Sequence, residues 1–140
     1  MKPQAIETGV TVGSVVSRQD RIELMTVERI EDTVFGPVLT CCWFEESDAL
    51  RFGAFPMRRL DLFPSPQRTE GLSRGMTVRL NSRGPEMRIV EPVSAMSGQP
   101  VLCEWTGPVG LARRRYFPPQ GLLGTLDLQP FGHDLSGLSA

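Results

Sequence analysis

The chain repeats itself. When Gly13 is set over Gly75, an offset of 62 residues, Val16 meets Val78, Arg21 meets Arg83, Met25 meets Met87 and Gly36 meets Gly98. Further along, Cys41 meets Cys103, Trp43 meets Trp105, Arg51 meets Arg113, Phe55 meets Phe117, Pro56 meets Pro118 and Leu60 meets Leu122. That makes eleven identities with no gap, where chance supplies about three in fifty positions at ordinary residue frequencies. The chain has only two tryptophans, and they fall in register. A sequence of this kind is a tandem duplication, and whatever fold one copy adopts the other must share.

The repeat divides 140 residues into unit one over 10–63, a polar linker over 64–74 ("PSPQRTEGLSR"), unit two over 75–126 and a loosely held tail over 127–140. Each unit is about fifty residues, near the lower size limit for independent folding. In unit one, "SVVSR" (14–18), "ELMTVERI" (23–30), "PVLTCCWFE" (37–45) and "ALRFGAF" (49–55) are rich in β-branched and aromatic residues and bounded by turn formers. Unit two repeats them as "MTVRLN", "EMRIVEPV", "PVLCEWT" and "LARRRYF", with "SRGPEM" (82–87) as an explicit turn. Phe-Pro then leads in each copy to a short helical or 3₁₀ closing turn before Leu60 or Leu122. Fourteen glycines and twelve prolines suit many short strands joined by turns. The expected fold is all-β: two tandem small SH3-like barrels of four to five short antiparallel strands each.

The stretch "TCCWFEE" (40–46) raises the question of metal or redox chemistry. Strand side chains alternate faces, so Cys41 and Trp43 share one face, as do Cys103 and Trp105. Recurrence across the duplication makes that face the core, so Cys41, Trp43, Phe55, Cys103, Trp105 and Phe117 are the expected core set, with the thiols as small buried hydrophobes. A structural zinc site needs four convergent ligands in paired knuckles. Here Cys41 and Cys42 point opposite ways, and the sole histidine, His133, sits in the tail. Glu45, Glu46 and Asp48 form a charged run at a hairpin turn, where solvation explains them. No catalytic residue, cofactor site or metal site is identified, and the chain reads as non-enzymatic. Three cysteines form no disulfide framework. The N-terminus lacks an apolar signal region, and no run approaches the roughly 20 apolar residues of a membrane span. The expectation is a reduced, cytoplasmic protein with no membrane partner.

The segments "VRLNSRGPEMRIVE" (78–91), "LMTV" (24–27) and "CCWF" (41–44) carry a family resemblance. They resemble the small bacterial YodC-like proteins, a family of uncharacterised function. Its pattern runs through a glycine, a Val-x-Leu strand, Ser-Gly-Gly-Pro, Met-Thr-Val and a Cys-x-Trp-Phe strand. Unit one has Ile22-Glu23 in place of the Gly-Pro turn, and unit two has "CEWT" in place of the Trp-Phe ending. The two partial matches span about 100 of the 140 residues. The resemblance implies a small SH3-like β-barrel in a cytoplasmic protein of a bacterium or mobile element. It implies no activity and no catalytic residues.

Function then rests on what the duplication did not preserve. Unit one (13–63) holds six arginines and nine acids, a net −3; unit two (75–125) holds six arginines and three acids, a net +3. The whole chain, at −1, has no electrostatic footprint for nucleic acid. The sharpest local feature is "ARRRYF" (112–117), which reads either as an edge strand protected by charge or as a partner-binding patch through Arg114, Arg115 and Tyr116. In unit one, Phe44 and Phe52 stand where unit two has Thr106 and Arg114, and Cys42 stands where it has Glu104. Unit one thus has an apolar second face, either a partner site or a face covered by unit two or the tail. The candidate partner-binding residues are Arg114, Arg115, Tyr116, Phe44 and Phe52. The expected function is a protein-binding module, an adaptor or a blocker of a protein partner of the kind a mobile element encodes. The alternative is a nucleic-acid-binding protein using the basic second unit.

Overall fold

The structure is a computed structural model that describes residues 9–66, 71–91 and 99–124. Its regular elements are strands joined by 3₁₀ turns, with no α-helix among the described residues. No helix there is long and apolar enough to cross a membrane. Unit one contains β1 (Val15–Arg18), β2 (Leu24–Thr33), β3 (Gly36–Phe44), β4 (Leu50–Pro56) and β5 (Leu60–Phe63). Unit two contains β6 (Thr77–Leu80), β7 (Met87–Glu91), β8 (Val101–Thr106), β9 (Ala112–Phe117) and β10 (Leu122–Gly124). The chain is therefore all-β, in two five-stranded antiparallel sheets of matching order: β4-β3-β2-β1-β5 and β9-β8-β7-β6-β10.

Register repeats along with order. Val16 faces Met25 as Val78 faces Met87, and Trp43 faces Arg51 as Trp105 faces Arg113. Even the bulges coincide, between Val27 and Arg29 in one sheet and between Ile89 and Glu91 in the other. A bulge twists and bends its strand, so each sheet curls over its inner face. Leu39, Cys41 and Trp43 lie on that face in unit one, packed on Val16, Met25 and Val27. Val101, Cys103 and Trp105 do the same in unit two, packed on Val78, Met87 and Ile89.

One boundary, that of β2, differs from the sequence reading, and two expected features take a definite form. The closing segment after Phe-Pro is a 3₁₀ turn, Met57–Arg59 or Pro119–Gly121, followed by a fifth strand. Those strands return to pair with β1 and β6. Strand β2 runs on to Thr33, because its hairpin with β3 stays paired up to Thr33 opposite Gly36. The "SRGPEM" turn is particular to unit two: Arg83 (φ 81°) and Gly84 (φ 131°) are both left-handed, whereas their counterparts Arg21 and Ile22 are not. The tail, with His133, lies outside the described residues.

Candidate functional site

The two sheets meet through surfaces that differ between the copies. Strand β3 turns Cys41 and Trp43 into its own core and Cys42 and Phe44 out of the other face. That outer face joins the core of unit two: Cys42, fully buried, belongs to the cluster of Val78, Leu80, Cys103, Trp105 and Phe117, with Phe44 and Leu50 packed against it. The Phe44 ring meets Trp105 nearly edge-on, with centroids 5.3 Å apart at 80°, a favoured aromatic geometry. The Trp105 indole N–H donates to the carbonyl of Asp48 at 3.2 Å. Gly84 makes room for the contact, because a Cβ there would lie 2.5 Å from the Phe44 ring.

Polar groups complete the junction. Thr26 Oγ1 lies 2.6 Å from Ser82 Oγ and accepts from the Ser82 N–H at 2.9 Å. The Asn81 amide nitrogen donates to the carbonyls of Gly13 at 2.8 Å and Gln120 at 2.9 Å. At Gly13 any Cβ would sit 2.3 Å from the Gln120 oxygen, so only glycine allows this approach. Arg115 reaches across to Glu28 with both guanidinium nitrogens, Nη2 to Oε1 at 2.9 Å. Its guanidinium also lies over the rings of Phe52 (4.4 Å) and Phe117 (5.0 Å). A bidentate, partly buried Arg–carboxylate pair of this kind fixes orientation more firmly than a surface ion pair does.

The contact is head-to-tail. Unit one contributes Thr26, Glu28, Cys42 and Phe44, whereas unit two contributes Asn81, Ser82, Gly84, Trp105 and Arg115. The repeat equivalents of the first group in unit two are Arg88, Val90, Glu104 and Thr106. A heterologous contact can propagate to further copies unless it is capped, and here the free outer face of unit two carries charge. Glu104 accepts from Arg114 at 3.0 Å and from Arg88 at 3.2 Å, and these bonds, Arg114 first, lower its pKa.

The sequence-predicted residues fall into groups. Arg115, Phe52 and Phe44 come together at the junction, and Phe44 is engaged with unit two. Arg114 is exposed and paired with Glu104. Phe52 (51% exposed) and Tyr116 (52% exposed) stay open to solvent on either side of Arg115. Each borders a cleft between the units. One, of about 330 Å³, is lined by Leu50, Phe52, Trp105, Pro108, Arg113 and neighbours. The other, of about 400 Å³, is lined by Glu28, Thr40, Pro100, Tyr116 and Pro118 among others. Strand β9, the "ARRRYF" segment, is an edge strand. In the core set, Cys41, Trp43, Cys103, Trp105 and Phe117 are buried and Phe55 is partly buried, with Arg18 stacked over its ring.

Two features escaped the sequence reading. Glu28 interrupts an apolar run, and its repeat partner is Val90; that mismatch was the available signal. The other is the β2–β3 hairpin tip, where Val34 is 92% and Phe35 86% exposed. The string "TVFG" was visible, with two large apolar residues where turns favour polar ones.

All three thiols are free and buried. Burial pushes Cys103 up to about 12; burial and then the Glu28 carboxylate push Cys41 up to about 12, and the same two causes raise Cys42. Such thiols are protonated and poor nucleophiles or metal ligands near neutral pH. Among the described residues no group of three or more His, Cys, Asp or Glu side chains is placed to hold a metal ion. The pH dependence follows from the sign of the shift. Below about pH 9 both folded and unfolded chains keep these protons; between about 9 and 12 the unfolded chain loses them first, so stability falls. Thermal melts are expected to drop across that window, and a Cys103→Ala variant to drop less steeply. Equal slopes would show that the Cys103 thiol is not held protonated by burial.

Comparison with protein-family models, with curated proteins and with solved structures finds no match to this chain.

Proposed function

We propose that this chain is a non-enzymatic protein-binding module, two SH3-like barrels joined head-to-tail, acting in the cytoplasm as an adaptor or as a blocker of a protein partner. The barrel reading draws on the shared strand order, the coincident bulges and the short 3₁₀ turn before each last strand. The YodC-like resemblance of the two units accords with it. One observation carries the functional reading: the junction leaves Phe52 and Tyr116 half-exposed beside clefts on either side of Arg115. Exposed aromatics beside a preformed cleft are the usual anchors of a protein contact.

Nucleic-acid binding through unit two is the less supported reading. Arg115 is engaged with Glu28 and Arg114 with Glu104, so phosphate would have to displace two carboxylates. Both readings are tested by immobilising the chain and its Phe52→Ser/Tyr116→Ser variant in host lysate, with and without nuclease. The expected result is a protein retained by the parent, lost from the variant and indifferent to nuclease. Retention that disappears with nuclease would reverse the choice. So would oligonucleotide binding whose log–log salt slope, near −0.7 per contact for single strands, flattens in an Arg114→Ala/Arg115→Ala variant.

A further inference from the structure

The hairpin tip and the Phe52 cleft are complementary in chemistry and do not meet within one chain. The tip is preset. Thr33 Oγ1 accepts from the Phe35 N–H at 3.1 Å and donates to the Gly36 carbonyl at 2.7 Å. Gly36 takes the left-handed conformation (φ 108°) that closes the turn. The two apolar side chains, exposed as described, therefore project from a rigid turn instead of a loose loop. Their flank is acidic. Glu31 is paired with Arg29, while Asp32 has no ion pair among the described residues. The repeat equivalents of Val34 and Phe35 in unit two are Met96 and Ser97, so the phenylalanine is particular to unit one.

The cleft lined by Leu50, Phe52, Trp105 and Pro108 offers an apolar floor, and its wall carries Arg113, Arg114 and Arg115 with Asp48 beside them. Of that wall, Arg114 and Arg115 are paired within the chain, and Arg113 has no ion pair among the described residues. The cleft lies at the Phe44 end of β3, since Leu50 and Phe52 face Phe44 and Cys42. The tip lies at the Gly36 end. Along β3, Gly36 lies six residues from Cys42 and eight from Phe44, roughly 20–27 Å at the usual strand rise. The tip therefore does not reach the cleft of its own chain along β3, and the apolar wedge with its Asp32 meets the apolar cleft with its Arg113 only in a second molecule.

We propose that the occupant of this cleft is a second copy of the chain: Phe35 of each copy enters the Phe52–Trp105–Pro108 cleft of the other, with Asp32 facing Arg113. Reciprocal insertion of this kind is isologous and closes as a two-fold dimer. The inference rests on the reading of the cleft as a protein-binding site and names the partner. A polar or anionic surface does not suit the wedge, because Phe35 and Val34 need an apolar site and Asp32 repels anionic headgroups.

Sedimentation equilibrium of the full chain tests it. The expected species has twice the 15.5 kDa chain mass at about 100 µM, in the affinity range of ordinary transient contacts. Phe35→Ser weakens association at least about thirtyfold, the loss that defines an interface hot spot. Arg113→Asp weakens it too, and Asp32→Arg combined with Arg113→Asp restores it. Phe35 is solvent-exposed, so the Phe35→Ser melting temperature stays at that of the parent and separates lost contact from lost fold. A monomer at that concentration overturns the proposal, as does a dimer that survives Phe35→Ser or a charge swap that fails to restore it. The broader protein-binding reading is decided separately: a monomeric chain that still retains a different protein, lost on Phe52→Ser/Tyr116→Ser, keeps that reading while the self-association falls.

Discussion

Trp105→Ala is expected to destabilise the chain by about 5 kcal/mol, and Trp43→Ala by about 3 kcal/mol, the two ends of the usual range for truncating a large buried aromatic. The two residues occupy the same repeat position, so the difference isolates what the junction adds. Trp43 packs within its own sheet, with Phe55 at 6.3 Å. Trp105 contacts Phe117 at 6.0 Å in its own sheet, but also Phe44 of unit one at 5.3 Å, and its N–H donates to the Asp48 carbonyl. Removing it opens a cavity bounded by both units, and the surrounding side chains cannot collapse without moving one sheet relative to the other. Chemical denaturation of the two variants checks the ranking; equal losses would mean that Phe44 and Asp48 contribute nothing through Trp105.

The strands of both units were legible in the sequence for a physical reason. Leu39, Cys41 and Trp43 alternate along "PVLTCCW" as Val101, Cys103 and Trp105 do along "PVLCEW", so the duplication showed the same pattern twice. The fifth strands were not legible. "LDLF" and "LLG" are too short to show a period, and what makes them strands is pairing with β1 and β6, some 45 residues earlier in the chain. The apolar second face of unit one was visible as Cys42, Phe44 and Phe52, with unit two as one candidate cover, but the contacts that make it the cover were not. That depends on contacts between distant residues, such as Glu28 with Arg115 and Thr26 with Ser82, which leave no local pattern. The arginines of "ARRRYF" read either as a charged edge strand or as a binding patch, because the carboxylate partners of Arg114 and Arg115 lie on other strands.

Cys42→Glu is expected to destabilise the chain by about 3–5 kcal/mol, the cost of leaving a buried charge without a partner. The substitution places in unit one the residue that unit two carries at the same repeat position. In unit two that glutamate, Glu104, lies between Arg88 and Arg114 at the protein surface. At Cys42 the side chain is fully buried in the core of the other unit, with the Glu28 carboxylate close enough to raise the thiol pKa. A carboxylate there would face one like charge, and Arg115 is already committed to Glu28. The reciprocal change, Glu104→Cys, removes two ion pairs at the protein surface and is expected to cost little stability. Urea midpoints of the two variants give the comparison, and similar losses would mean that the two outer faces are equivalent.

The central claim is that the outer face of unit one is part of the core of unit two, so the two units fold as one cooperative body. Each unit contains one tryptophan, which allows a direct test. Trp105→Phe leaves Trp43 to report on unit one, and Trp43→Phe leaves Trp105 to report on unit two. Cys42→Glu is introduced into both backgrounds and unfolding is followed by fluorescence. The account predicts that the unit-one and unit-two signals move together to lower denaturant in a single transition, although the substitution lies in unit one. A Trp105 transition that stays in place while the Trp43 transition shifts would contradict it.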